Sequence, residues 1–308
     1  MGIISKQYIK NLVHRYDKEV GIPYYSCADF DGLKQDAFTF VNSRGVEIHC
    51  FYYYYDKFNQ DKFILFCPGI GPGHTAYLAE IEELAKRGYK VLTLDYTGCG
   101  ESKGEILGSL NMPTVDVMEL LDYINLKKEI VLIGHSLGAY TSLNVVNLRK
   151  DINKAVIISG FLSPKALLAH NIRSKFLLSR VLKYEEKTVP EYYSLNNIEY
   201  LKTTKDKLFF IHSEDDQIVP YNSSLAVVLS INNPSIKTLI LQNRKHNPNY
   251  TDEAVKYMND VFTDYQDKLN KKEIVSDEEK INYFKNISVK DITTQDKNIF
   301  DQIEAFLN

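Results

Sequence analysis

The sequence predicts an α/β fold, a mostly parallel central sheet with helices on both faces and a helical insertion between two of its strands. Three observations predict it. From about Ala37, short β-type runs alternate with amphipathic helical runs. Between Gly160 and Asp206 the alternation lapses into a helix-rich stretch. One buried-strand run, Ile130-Val131-Leu132-Ile133, passes directly into a Gly-x-Ser-x-Gly turn and then a helix-forming stretch.

The elements follow in order. Phe38–Val41 and Val46–Tyr54, split by Asn42-Ser43-Arg44-Gly45, read as an opening hairpin. The aromatic run Phe51 to Tyr55 fits a strand buried on one face and lined by tyrosines on the other. Lys62–Cys67 is a buried strand, and Tyr77–Arg87 is a helix with Leu78, Ile81, Leu84 and Ala85 at helical spacing. Strand Val91–Asp95, helix Val115–Ile124, the central strand Ile130–Ile133 and helix Ala139–Leu148 continue the pattern. Ala155–Ser159, Leu208–His212 and Lys237–Leu241 complete the sheet before helix Asp252–Lys268. In the insertion, Leu167, Leu168, Phe176, Leu177, Leu178, Val181 and Leu182 supply an apolar face. Long structureless loops are uncommon in compact domains, so this stretch is expected to be a helical cap. The expected organisation is an N-terminal helical extension over 1–30, a core over 31–159 and 206–308, and a cap or lid over 160–205. A terminal amphipathic helix, Ile299–Leu307, is expected to dock back on the core.

At 308 residues, 44% hydrophobic and 25% charged, the chain has the composition of a globular protein with a large core. A net charge of -3 offers no overall basic field for nucleic acid. The first twenty residues carry a polar or charged group every few positions, unlike a signal peptide. No apolar run approaches the ~20 residues of a membrane span. Lys6 occupies the position where a myristoylation signal has Ser or Thr, so a cytoplasmic location is the expectation. Cys27, Cys50, Cys67 and Cys99 form no Cys-x-x-Cys pair and are expected to be reduced thiols. No metal or cofactor is called for.

The chemistry centres on Gly134-His135-Ser136-Leu137-Gly138. Between strand and helix the serine is held in a strained turn, where neighbouring Cβ atoms would clash, and its hydroxyl stands at the C-terminal edge of the sheet. Ser136 is the expected nucleophile. A serine hydroxyl needs a base to take its proton and a third group to hold that base. The loop after Leu208–His212 offers Glu214, Asp215 and Asp216, and the loop after Lys237–Leu241 offers His246. Seven histidines compete for the base role. His14 and His49 precede the active edge, His135 lies inside the turn, His170 is in the insertion, and His212 ends a strand. His74, in the loop after the third strand, is a candidate substrate contact, as are His135 and Leu178. His246 has both the chain order and the loop. One oxyanion donor is expected from the amide of Leu137, and the other from the glycine-rich loop Pro68-Gly69-Ile70-Gly71-Pro72-Gly73-His74.

Over about residues 37–268 these motifs resemble the α/β-hydrolase superfamily, in particular the branch of monoglyceride lipases, acyl esterases and S33-type peptidases. Asp95-Tyr96-Thr97-Gly98-Cys99-Gly100-Glu101-Ser102 is similar to that branch's D-x-R-G-x-G-x-S turn, and Asp216-Gln217-Ile218-Val219-Pro220 to its D-x-x-V-P. The resemblance implies an α/β-hydrolase fold, selects Asp216 as the triad acid, and gives the second oxyanion amide to Ile70, with Pro68 replacing the usual His. Thr97 departs from the family's Arg, and Ser213 from its Gly. The implied reaction is acyl transfer to water, with a small-molecule carboxylic ester as the favoured substrate. An S33-type peptidase, an acyl thioesterase and a non-catalytic binding protein are the alternatives. Glu185, Glu186 and Glu191 are the acids that could hold a peptide N-terminus.

Overall fold

A computed structural model describes residues 2–59, 63–125 and 128–308. In chain order the elements open with helix α1 (Ile3–Asn11) and strands β1 (Lys34–Val41), β2 (Glu47–Tyr54) and β3 (Phe63–Cys67). They continue through α2 (Leu78–Lys86), β4 (Lys90–Leu94), α3 (Met112–Ile124), β5 (Ile130–His135), α4 (Leu137–Leu148) and β6 (Lys154–Ile158). Four helices follow, α5 (Pro164–Asn171), α6 (Lys175–Thr188), α7 (Pro190–Tyr193) and α8 (Asn197–Thr203), and then β7 (Lys207–Ser213), α9 (Leu225–Ile231) and β8 (Ile236–Leu241). The chain ends with α10 (Asp252–Asn270), α11 (Asp277–Phe284), α12 (Val289–Ile292) and α13 (Lys297–Leu307).

The eight strands make one open sheet in the order β1-β2-β4-β3-β5-β6-β7-β8. β2 is antiparallel to β1 and β4, and every other pair is parallel. The five central strands are apolar on both faces, because helices cover both. Their side chains divide strictly by alternation. Ile64, Phe66, Val91, Val131, Ile133, Val156, Ile158, Phe209 and Ile211 join one core layer with α2 and α13. Leu65, Cys67, Leu92, Ile130, Leu132, Ala155, Ile157, Leu208 and Phe210 join the other with α3 and α4. In β2, Phe51 and Tyr53 are buried while Tyr52 and Tyr54 face the Lys90 ammonium at 4.5 and 4.6 Å.

Several boundaries differ from the expectation. Lys62 lies outside the described residues. β1 begins four residues before Phe38, since its polar start pairs in register with β2 through Tyr53–Gln35 and Tyr54–Asp36 bonds that carry no apolar signal. The first thirty residues are not helical throughout. After α1 they run irregularly to one turn at Cys27–Asp29, with Gly21 at φ 88° packed so closely on α11 that a Cβ would lie 2.7 Å from the Lys280 carbonyl carbon. Helices α11 and α12 add to the C-terminal segment, α11 opening on a reciprocal Ser276–Glu279 capping box. α13 buries Ile299, Phe300, Ile303 and Leu307 against the sheet.

The N-terminal segment braces the turn after β4. Arg15 donates to the carbonyls of Gly100, Ser102 and Gly104 at 2.8–3.0 Å, and Tyr16 exchanges backbone hydrogen bonds with Gly98 and Gly100. A cation from outside the motif thus holds the turn in which Thr97 replaces the family's Arg. Within the turn, the Asp95 carboxylate accepts from the His74 backbone and Nδ1 and from the Glu101 amide, joining the loops after β3 and β4.

Two buried carboxyls make stability depend on pH. Burial pushes Glu80 up to about 7, against a Tyr250 hydrogen bond and a 3.3 Å contact from Asn249, and pushes Asp116 up to about 6 against bonds from Thr97 and Asn42. Each raised group favours the folded state fully below its unfolded value near 4, and that contribution is lost as pH rises through the folded value. Glu80→Gln is therefore expected to melt later than the parent at about pH 8, by up to about 3 kcal/mol, and to match it near pH 4. Thermal unfolding of both proteins across that range checks it.

Candidate active site

β5 ends at His135 and α4 begins at Leu137, leaving Ser136 alone to reverse the chain at φ 55° and ψ −116°. That conformation is costly for a residue with a Cβ and persists only where the surroundings impose it. Here they do. A Cβ on Gly138 would lie 1.9 Å from the Cys67 carbonyl oxygen, and one on Gly134 would lie 2.2 Å from the Gly138 oxygen. The Ser136 amide donates to the Ile158 carbonyl at 2.9 Å, tying the turn to β6.

Three carboxylates follow β7, and their partners separate them. Glu214 accepts from Gln242, and Asp215 from the Ser213 hydroxyl and the Lys245 amide. Asp216 alone faces His246, with Oδ2 2.8 Å from Nδ1. Its Oδ1 accepts from the amides of Ile218 and Val219 at 2.9 and 3.0 Å. Burial works to raise this carboxyl, but hydrogen bonds from His212, His246 and the Val219 amide hold it well below the usual carboxylate range. It is an anion, so Nδ1 of His246 carries the proton.

His212, near the end of β7, also reaches the acid. Its Nε2 lies 2.8 Å from the Val219 carbonyl and 3.2 Å from Asp216 Oδ2, so it bridges the acid to its own loop. Ser213, where the resemblance has Gly, takes part in the same stitching. Its hydroxyl accepts from the Arg244 amide while donating to Asp215, linking the two loops that carry Asp216 and His246.

A second chain of hydrogen bonds has one consistent assignment of protons. The His246 carbonyl can only accept, so His135 Nε2, 2.7 Å away, donates to it. Nδ1 of His135 then accepts from the Tyr77 hydroxyl at 3.0 Å, and the Tyr77 oxygen accepts from the Gly69 amide. Burial, reinforced by the neighbouring His246, pushes His135 down to about 3 and keeps it neutral, as this assignment requires. The two imidazoles meet edge to face, 4.7 Å between centroids. Tyr77 and His135 therefore fasten the loop after β3 to the loop after β8, across the serine turn.

Ser136 and Leu137 form part of the wall of a cavity of about 750 Å³. Ile70 from the loop after β3, Phe161, Val219, and Leu167, Leu168, Leu177 and Val181 of α5 and α6 add an apolar lining. None of His74, His135 and Leu178 is among the described residues that line it. His74 is buried on Asp95 with its ring stacked on Phe51, His135 is buried in the Tyr77 chain, and Leu178 packs on the core one position away from the lining Leu177. The wall that sequence reasoning missed is α1 with the residue after it, which contribute Ile3, Ile4, Tyr8 and Leu12. Their spacing places them along one helical face, a signal present in the sequence with nothing in it to say what the face covers.

α1 is fixed there by a buried carboxylate. The Tyr8 hydroxyl and the Ser109 hydroxyl donate to opposite oxygens of Glu185 at 2.6 Å, and the Leu110 amide donates to it at 3.0 Å. Of the acids that could have met a peptide amine, Glu185 is thus consumed inside the protein, Glu191 pairs with Arg44 at 2.7 Å, and Glu186 is exposed and is not among the described residues that line the cavity.

The family described as serine aminopeptidase, S33, matches residues 59–219. Over 96 residues, 30% of this chain, the sequence is 32% identical to an epoxide hydrolase of Caballeronia sordidicola, and the match spans only 29% of that protein. An esterase of Pyrococcus furiosus superposes with a TM-score of 0.58 at 19% identity, over 85% of this chain and 96% of that one. An esterase domain from Rhodothermus marinus gives 0.52 at 20% identity, over 75% and 97%. An acylaminoacyl peptidase of Pyrococcus horikoshii gives 0.53 at 18% identity, over 71% of this chain and 38% of that one. At such identities the structural likeness speaks for the fold alone. The family match spans more than half of this chain and includes β5, the serine turn and Asp216, and the chain belongs to the S33 serine aminopeptidase family of α/β hydrolases.

Proposed function

We propose that the protein is a serine hydrolase of carboxylic esters with apolar acyl groups, acting through an acyl-serine intermediate. Ser136 Oγ attacks the ester carbonyl while His246 Nε2 takes its proton, and Asp216 holds the Nδ1–H and balances the imidazolium. The amides of Leu137 and Ile70 hold the oxyanion, each such donor being worth roughly 3–4 kcal/mol in the transition state. Collapse expels the alcohol, which takes the proton back from His246. Water then repeats the sequence on the acyl-serine and releases the acid. The α5–α6 insertion and α1 act as the cap over the acyl chain.

The observation that carries the ester reading is the wall of the cavity at Ser136. Its lining holds no Asp or Glu among the described residues, and Arg173 is its one charged member. An aminopeptidase must hold the ammonium of its substrate, and a buried cation without a carboxylate partner is expensive. An acyl chain needs only apolar surface. Nitrophenyl esters graded by chain length, run beside aminoacyl-naphthylamides and acyl thioesters, test the reading. Turnover of the esters rising with chain length supports it, and turnover of the naphthylamides or thioesters alone overturns it.

Fluorophosphonate is expected to label the parent and not Ser136→Ala, provided that the variant melts like the parent. A parent that does not label is a binding protein on this fold. Among the acids, Asp216→Asn is expected to cost kcat on the order of 10⁴-fold, the scale seen when a triad histidine loses its orienting carboxylate. Glu214→Gln is expected to stay within about threefold, as an exposed change away from His246, and Asp215→Asn, which keeps an oxygen to accept from Ser213 and the Lys245 amide, to cost far less than Asp216→Asn. Steady-state kinetics on one ester separate the three.

Tyr77→Phe leaves His135 Nδ1 and the Gly69 amide buried without a partner, a loss of about 1–3 kcal/mol borne by the two loops that meet at the site. The expected result is a fall in kcat of roughly ten- to hundredfold with KM little changed. A rise in KM at constant kcat would assign Tyr77 to binding instead of positioning.

A further inference from the structure

We infer that α1 and α6 form a docking surface for an anionic phospholipid bilayer, with the mouth of the apolar cavity opening against it. The first observation is charge. Residues 1–14 and 160–184 together hold seven Lys or Arg and no Asp or Glu, where the chain's average of 40 carboxylates in 308 residues predicts about five. The two segments are far apart in sequence and meet in space, since Tyr8 of α1 bonds Glu185 of α6. A chain of net charge -3 thus gathers cations along α1, α5 and most of α6, with Glu186 as the exposed acid of α6 beside Lys187.

The second observation is exposed apolar surface within that face. Ile3 is 87% exposed and Phe176 62%. They lie along a groove of about 840 Å³ whose other lining includes Arg180, Lys183 and Lys187, and the Arg180 guanidinium stands 5.1 Å from the Phe176 ring centre. Positions 176, 180, 183 and 187 follow one stripe of α6, while Leu177 and Val181 follow the adjacent stripe and line the Ser136 cavity. One helix therefore shows cations and an aromatic ring outward, and acyl-binding surface inward. Bulky apolar groups set among lysines and arginines are the composition of a helix lying in a lipid headgroup layer. Among the described residues no helix is long and apolar enough to cross a membrane, so the contact is peripheral.

Other occupants fit less well. A second copy seated on the same face would set cations against cations about the two-fold axis. Nucleic acid would satisfy the cations and leave Ile3 and Phe176 without partners. An anionic bilayer satisfies both, with about 1 kcal/mol per cation near the surface from headgroup charge, a factor of roughly five in partitioning, and a further gain from apolar burial.

The bilayer contact does not depend on the hydrolase reading, which only adds that an ester lipid can enter the cavity from the surface. The test uses Ser136→Ala protein, so that no lipid is turned over, sedimented with vesicles of phosphatidylcholine alone or with equal parts of phosphatidylglycerol. Binding to the anionic vesicles, at least about tenfold tighter than to the neutral ones and weakened by salt, is expected. Arg180→Gln/Lys183→Gln/Lys187→Gln is expected to lower the partition on the order of a hundredfold, and Phe176→Ser roughly tenfold. All are exposed side chains outside the Ser136 cavity, so on the Ser136 background they leave fluorophosphonate labelling in solution unchanged. No binding to anionic vesicles, equal binding to both kinds, partitioning unchanged in the variants, or equal retention by duplex DNA would each overturn the proposal. Failure of labelling with vesicle binding intact would overturn the hydrolase reading alone.

Discussion

Everything at the candidate site depends on how closely α4 passes β3. With Gly138 set against the Cys67 and Pro68 carbonyls, no side chain fits between helix and strand, and the only way to join β5 to α4 at that distance is the reversal taken by Ser136. The strain at φ 55° is sustained by the surroundings, because six parallel strands and two helical layers fix both ends of the turn. The same approach brings the start of the loop after β3, at Cys67 and Pro68, beside the start of α4. The serine is placed here by close contact of main chain.

What the turn does not fix is the position of the histidine, which arrives from a loop after the sheet's last strand. Two independent tethers hold it. Asp216 takes its ring, and the Tyr77–His135 chain takes its carbonyl. Loops that carry functional residues are mobile unless buried polar groups tie them down, and both tethers are buried where each bond counts more than in water. His135 illustrates the division of labour. Its ring is held neutral by burial and by its neighbour, and a neutral imidazole can donate at one nitrogen while accepting at the other. A charged one could not accept from Tyr77.

The sheet was legible in the sequence because its central strands are short continuous apolar runs separated by amphipathic helical stretches. The edge was less legible, since Lys34–Ala37 pair through backbone and tyrosine hydroxyls that leave no hydrophobic trace. Ser136 was legible from a motif that is itself a packing requirement. Which of three adjacent carboxylates meets His246 was not, because all three lie in one loop and differ only in which partners they meet across it, and only resemblance distinguished Asp216. The cavity was the least legible feature. His74, His135 and Leu178 stood out in the sequence as polar or apolar groups near the active edge, but one position on a helix decides between lining a cavity and packing behind it, as Leu177 and Leu178 do. Helix α1 was hidden for a different reason. A helix that covers a cavity and a helix that covers a core have the same apolar stripe, and the partner lies more than 150 residues away.

That distance also explains why the net charge conceals the character of the protein. An overall value of -3 excludes a uniform basic field, yet it is compatible with acids concentrated elsewhere and two segments, 1–14 and 160–184, that have none. Burying Glu185 contributes to this separation. The carboxylate is solvated by two hydroxyls and an amide in the interior, which joins α1 to α6 without placing a negative charge on the outer face that the two helices share. An exposed lysine–glutamate pair could have joined the same helices, but it would have neutralised that face. Choosing an internal anchor over a surface one keeps three environments distinct within a few turns of helix: an apolar wall toward Ser136, a satisfied polar core between α1 and α6, and cations outside.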